Sequence, residues 1–491
     1  MNTLNRTTVP YKRYKERIIQ FGEGNFLRAF VDWIVWNMNS KIGFDSSIVV
    51  VQPIEKGMVE TLNKQDGLYH LILKGVDDGK EIYNTQLVDV ISRGVNPYTH
   101  YDNFLALAEN PDFRFVVSNT TEAGIAFDPT DLIDDSPPAS FPAKLVQLLY
   151  HRFNTFDGAP DKGLIIFPCE LIFHNGRELK EVIGKYIELW ELGNAFKHWF
   201  NTACGVYSTL VDRIVPGYPR ENADEIKVKL GYDDKLLVEG EIFHLWVIEA
   251  PESVAREFPA NTAGLNVLFV DSEDPYHQRK VTLLNAPHTI MSPVAYLAGL
   301  NTVGECINDS LINRFVHTII FNDLIHTLDM PEAELKDFAY KVLDRFRNPY
   351  INHQLASIML NSFAKYKTRV LPALKTCIRQ EGRLPNLLVF GLAAIVCYYR
   401  GGKRGDDEII IQDNDSVVKL IYDLWATNSY QKLAEGVLGA EFIWGEDLNE
   451  VEGLQLQLIE YIHAIQECGV RKYISETLLP SVEANEKNLK Q

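Results

Sequence analysis

The segment Ile18-Ile19-Gln20-Phe21-Gly22-Glu23-Gly24, followed by Phe26, Ala29, Phe30, Trp33 and Ile34, constrains the fold more than any other stretch of this chain. Two β-branched apolar residues close a short buried strand. The glycines then make a tight turn, and apolar residues recur at helical spacing. Strand, glycine turn and helix open a βαβ unit. Backbone amides at such a helix start favour a pyrophosphate, and the glycines let the backbone approach it. The pattern departs from G-x-G-x-x-G, because Leu27 stands where the third glycine would be. A tight turn before any helix would look the same, so a dinucleotide is one of two readings of these residues alone.

Further strands extend the unit. The second, 47–51, lies at the distance a βαβ unit requires. It ends in Gln52-Pro53-Ile54-Glu55, where Glu55 is the only acid near enough to meet an adenosine ribose and Lys56 is the nearest cation. That favours NAD over NADP. A third strand, 113–118, runs into Asn119-Thr120-Thr121-Glu122-Ala123-Gly124, small and hydroxylated residues of the kind that line the crevice of an open α/β sheet. A fourth, 163–168, leads to Cys169-Glu170, and runs 243–248 and 265–270 are expected to extend the sheet or bridge the domains. After about residue 280 the spacing turns helical, over 295–303, 309–328, 332–346, 354–374, 384–399 and 417–426. The expected architecture is an α/β Rossmann-type domain over 1–278, followed by a mostly α-helical substrate and catalytic domain over 279–491. Residues 131–138 and 401–408 are expected as exposed loops, and the tail after Ser481 as frayed.

At the start of the helical half stand Lys280, Asn285 and His288, at offsets of five and then three. On a helix start these offsets let an amine, a carboxamide and an imidazole converge on one pocket. Such a set can move a proton on or off an alcohol oxygen without a metal. A surface Lys, a capping Asn and a buried His is the plainer reading of the same residues.

Gly22 to Ala29, the turn 118–124, Asn175-Gly176, Val211-Asp212-Arg213-Ile214, and Lys280 with Asn285 and His288 together resemble the polyol-specific long-chain dehydrogenases, the mannitol dehydrogenase family. The resemblance runs from about residue 18 to about 365. It implies zinc-independent, NAD-linked chemistry at an active site between a Rossmann-type and a helical domain. By that resemblance Lys280 is the general acid/base, Asn285 polarises the substrate oxygen, and His288 orients substrate and supports Lys280. Ile19, Gln20, Phe21, Gly22, Glu23, Gly24, Asn25, Phe26, Leu27, Arg28 and Ala29 then bind the cofactor, with Asn119, Thr120, Thr121 and Glu122. Two positions depart from the family. Cys169-Glu170-Leu171 replaces Cys-Asp-Asn, so a second oxyanion donor is Leu171 here. Ser357 stands where the family carries an Arg eight residues before Lys365. Both changes fit another substrate better than mannitol.

Composition narrows the partners. The chain of 491 residues carries a formal net charge of -18, which disfavours nucleic acid and anionic membrane. A sugar acid would need local cations against that background. Lys280, Arg213, Lys365 and Arg369 are the candidates, with Arg213 and Lys365 expected on the substrate and Arg369 read as a surface salt-bridge partner. The six cysteines show no C-x-x-C pair, and His151, His174, His198 and His288 form no ligand-spaced motif, so no metal is expected. Residues 1–17 lack the apolar core of a signal peptide, and the longest apolar run, 387–399, is too short to span a bilayer. The expectation is a cytoplasmic enzyme acting on a small-molecule sugar acid, its oligomeric state unread. A protein that senses NAD or a sugar acid is the alternative of a different class, and it would need no proton shuttle.

Overall fold

Alternate residues of the N-terminal strands enter two different cores, as the period of a strand demands. The computed structural model describes residues 1–121, 123–404 and 407–482. Its chain divides into two units, residues 1–75 with 81–273, and residues 76–80 with 274–491.

The first unit is built on β1 (Lys15–Phe21), β2 (Ser46–Val51), β3 (Ile91–Val95), β4 (Phe115–Ser118), β5 (Ile165–Pro168) and β6 (Gly205–Val206). All are parallel, in the order β3-β2-β1-β4-β5-β6. That is the order of a Rossmann sheet. Ile18, Val50, Phe115, Val117 and Phe167 face one core, with the helix Val31–Ile42. Ile19, Val49, Val51, Val116 and Ile166 face the other, against the helices Phe141–Thr155 and Asn175–Leu189. Both faces are therefore covered, which is why these strands read as continuous apolar runs. A second sheet pairs Leu245–Glu249 with Thr209–Asp212 (antiparallel) and Val267–Val270 (parallel). The expected runs 243–248 and 265–270 thus form this smaller sheet instead of extending the first.

Register aligns the strand ends. Phe21 lies beside Val51 and Ser118, and Ser118 beside Pro168. Gly22, Gln52, Asn119 and Cys169 consequently leave one edge in a row, stitched by Gly22 N to Val51 O, Asn119 N to Phe21 O and Cys169 N to Ser118 O. Residues 131–138 are a loop, as expected, yet Asp131 is buried. Its carboxylate accepts from Ala139 N, Ser140 N and the Tyr186 hydroxyl, and so anchors the loop.

The second unit is helical. Asn386–Tyr398 is its centre, buried from Leu387 to Tyr398. It packs against Leu454–Cys468 and Ala286–Leu297. Gly391 permits the closest approach, since a Cβ there would meet Ile290 Cγ2 at 2.6 Å. Two expected helices are divided differently. The run 295–303 ends at Leu297, and a new helix starts at Val303 behind the Thr302–Glu305 capping box. The run 354–374 breaks at Asn361, which is left-handed at φ 53°, and again at Val370. Within 401–408, Lys403–Arg404 pairs with Asp407–Glu408. Gly405, Asp406, Glu122 and the tail from 483 lie outside the described residues. Among the described residues no helix is long and apolar enough to cross a membrane.

Candidate active site

Pro287 sits inside a helical run that starts at Asp274 and ends at Leu297. It lacks the N–H that would bond Leu283 O, and its ring crowds that carbonyl. The chain answers with a π turn over Val281–Asn285, in which Ala286 N donates to Val281 O, five residues back. Such turns occur frequently at functional sites. In an α-helix Lys280 and Asn285 would point about 140° apart. The wider turn sets residue i+5 closer above residue i than an α-turn does, which favours amine and carboxamide on one side. His288 follows three residues on, one α-turn further along that side. The sequence pattern expects these three groups together on a helix start; the backbone between the first two is a π turn and not an α-turn.

Around His288 the second unit is cationic. Its ring lies 4.3 Å from that of Phe346 and 5.3 Å from that of His353, centroid to centroid. Nε2 is sealed from solvent and has no hydrogen-bond partner among the described residues. Burial, then His353, Arg345 and Arg369, hold the imidazole well below its ordinary pKa, so it is neutral at neutral pH. Lys365 donates to Ile358 O at 2.7 Å, and burial and Arg369 push its amine down. Arg369 is half-buried and makes no ion pair among the described residues, contrary to the salt-bridge reading of the sequence. His353 and Arg345 were not foreseen. Three separate segments bring them to His288, and no local pattern marks that.

In the first unit the tip of the glycine turn is open. Gly22 sits at φ +125° with a would-be Cβ 2.9 Å from Asn119 O, so it admits no side chain. Gly24 and Asn25 are exposed, and a Cβ on Gly24 would meet nothing within 4 Å. This is free room over backbone at the sheet's C-terminal edge, and it fits a dinucleotide. Of the other residues expected there, Ile19, Phe21, Leu27 and Ala29 are core. Gln20 Nε2 donates to Gly22 O. Arg28 is buried beneath the turn, its guanidinium donating to Glu23 O, Leu236 O and Asn25 Oδ1, so it braces the turn from within. Glu23 Oε1 accepts from Met58 N in the loop after β2, and burial raises its carboxyl pKa. Glu55 is exposed in that loop, where Gln52 Nε2 donates to Ile54 O and Glu55 O.

Glu170 is the residue the sequence undervalued. Its Oε1 accepts from Thr120 N and Thr120 Oγ1, each at 3.0 Å, and its Oε2 from Ser118 Oγ at 3.0 Å. With Asn119 Nδ2 on Cys169 O, it shapes the 118–121 turn. Its place directly after a predicted strand was the available signal. Leu171, at the lost donor position, is 66% exposed. Asn175 is buried and staples Pro168 O, Glu170 O and Thr209 O. His174, Glu249 and Glu273 bring three metal-capable atoms within 4.8 Å of one another. They are engaged with protein, His174 Nδ1 lying 3.1 Å from Glu273 and Glu249 pairing with Arg177 at 2.7 Å.

Arg213 requires correction. It was expected on the substrate, but it is 6% exposed and donates to Ala29 O, Phe243 O and Ile242 O while lying 4.1 Å over the Trp33 ring. Its guanidinium joins segments of the first unit.

Comparison with known proteins agrees with this frame. Residues 16–261 match the Mannitol dehydrogenase Rossmann domain and residues 273–466 the Mannitol dehydrogenase C-terminal domain. The chain therefore belongs to the mannitol dehydrogenase family. It is 59% identical over 479 residues to the altronate oxidoreductase of Bacteroides thetaiotaomicron, covering 97% of this chain and 100% of that one. It is 46% identical over 480 residues to that of Escherichia coli O7:K1, covering 96% and 99%. A D-sorbitol dehydrogenase crystal structure shares the fold at TM-score 0.82 and 22% identity, covering 96% and 100%. The Pseudomonas fluorescens mannitol 2-dehydrogenase complex with NAD and D-mannitol does so at 0.68 and 21%, covering 97% and 99%.

Proposed function

We propose that the protein is an NAD-dependent altronate oxidoreductase, interconverting D-altronate and D-tagaturonate. The observation that supports the chemistry is the π turn between Lys280 and Asn285 in a chain collinear with altronate oxidoreductases. NAD, when bound, accepts or returns the hydride. Its pyrophosphate is assigned to the backbone at Gly22 to Phe26, with Asn119, Thr120 and Thr121 along the same edge. Asn285 donates a hydrogen bond to the substrate carbonyl oxygen, where negative charge grows during reduction. Lys280 delivers the proton to that oxygen, and in the reverse direction its neutral amine removes it. His288, held neutral, serves as a hydrogen-bond partner rather than a proton donor. Lys365 contacts the sugar acid. No step is assigned to a metal. The six cysteines are all free thiols, which suits a reducing cytoplasm.

The test is NADH oxidation by the purified protein with D-tagaturonate, D-fructuronate and D-fructose in parallel, chelator present. Preference for tagaturonate is expected. Preference for fructuronate or fructose overturns the substrate, and NADH binding without turnover of any of them favours a sensor.

A further inference from the structure

The helix Ser362–Arg369 carries Lys365 and Arg369 four residues apart, on one face. Like charges at that spacing repel, and here both groups are withdrawn from full solvent. This helix packs against Ala286–Leu297, which bears His288, and against the π turn of Lys280 and Asn285. His353 stands 5.3 Å from His288, ring to ring, and burial, then Lys365, holds its imidazole below the ordinary value. Arg345 faces His288 from the end of a third helix. Asp413 is the one carboxylate that acts on Lys365, and it is taken up by the Tyr399 hydroxyl and Asn414 N. Lys365 and Arg369 therefore gather positive charge without a matching acid among the described residues, in a chain whose net charge is -18. Half-buried charge is costly unless paired. His288 Nε2, on the neighbouring helix, is enclosed and has no hydrogen-bond partner among the described residues.

We infer that Arg369 and His353, with Lys365, form a carboxylate clamp that selects an acidic ketose over its neutral counterpart. The inference rests on the sugar-acid reading above and adds the residues that make the acid group a requirement. The planar guanidinium fork of Arg369 matches a carboxylate in a way an ammonium does not. Docked there, the acid end of an open-chain substrate lies on the same unit as Lys280 and Asn285.

The experiment compares D-tagaturonate with D-tagatose, in which the carboxylate is replaced by a hydroxymethyl group. For wild type, Arg369→Gln, Arg369→Lys and His353→Gln, the measured quantity is the ratio of kcat/KM for the two ketoses, with melting temperature and NADH affinity as folding controls. Arg369→Gln is expected to lower the ratio roughly 10- to 100-fold, the scale of one charge-assisted hydrogen bond. Arg369→Lys is expected to restore part of it, and His353→Gln to lower it less. A folded Arg369→Gln with an unchanged ratio, or one losing both ketoses equally, overturns the clamp. If Arg369→Gln does not fold, His353→Gln decides by the same ratio. Wild type that turns over tagatose as well as or better than tagaturonate overturns the sugar-acid reading itself, an outcome distinct from failure of the clamp.

Discussion

Arg213→Met separates a structural role from a substrate role. The guanidinium serves three carbonyls, Ala29 O at 2.6 Å, Phe243 O at 3.0 Å and Ile242 O at 3.2 Å. Met keeps the volume of the stem beside Trp33 but supplies no donor. Each buried carbonyl left short of its donor costs about 1–3 kcal/mol. Ile242 O retains a weak partner in His244 Nδ1 at 3.5 Å. Burial already holds the Arg213 pKa down to about 9, so removing the charge returns part of the loss. The net expectation is about 3–5 kcal/mol, or roughly 10 °C in the melting of the first unit. Scanning calorimetry reads that shift. KM for the sugar acid, measured well below the transition, is expected to stay within about two-fold, since no substrate contact is lost. Unchanged melting with KM raised tenfold or more would show the guanidinium meeting substrate and refute the structural role.

Lys280→Ala should lower kcat at least about 100-fold and Asn285→Ala by about 100- to 1000-fold, with NADH affinity kept; single-turnover kinetics with unchanged chemistry in either would remove that residue from the mechanism. Gly22→Ala forces a side chain onto φ +125° and against Asn119 O, a strain of about 1–3 kcal/mol. NADH fluorescence titration should show affinity weakened about tenfold or more, and undiminished affinity would place the cofactor elsewhere. Asp32 is fully buried, and burial pushes its carboxyl up from 3.8 to about 7. The folded chain thus keeps a proton that the unfolded chain has lost, and stability falls as pH rises from about 4 to about 7, then levels. Asp32→Asn lacks this descent, so its melting temperature relative to wild type should rise between pH 4.5 and pH 7.5; a constant difference would refute the titration.

Strands β1, β2, β4 and β5 were legible because both faces are buried and β-branched residues run together. Strand β3 was not. Ile91-Ser92-Arg93-Gly94-Val95 lies at the sheet edge, where Arg93 pairs with Glu16 at 2.9 Å, and an edge strand need not be apolar. Strand β6 spans two residues, too few for any period to show. At the site, Lys280, Asn285 and His288 were legible as residue types, but the turn that aligns them depends on a proline acting through the backbone. Arg213 misled because sequence displays a charge and not the carbonyls that absorb it. Arg345 and His353 stayed hidden because their shared neighbour, His288, is more than fifty residues away in the chain.

The π turn at Val281–Asn285 also makes the spacing of Lys280 and Asn285 a matter of counting. Such a turn holds one residue more than an α-turn. Deleting a residue from 281–284 would let the ladder close as ordinary helix with the pair at offset four, about 40° apart, whereas one residue more, wound as α-helix, would set them at offset six, about 120° apart. The amine and the carboxamide would both survive such an insertion, yet they would part. Insertions in this segment should therefore be tolerated less than a deletion or than most of its single substitutions, and the length of the segment is itself a functional character of the chain.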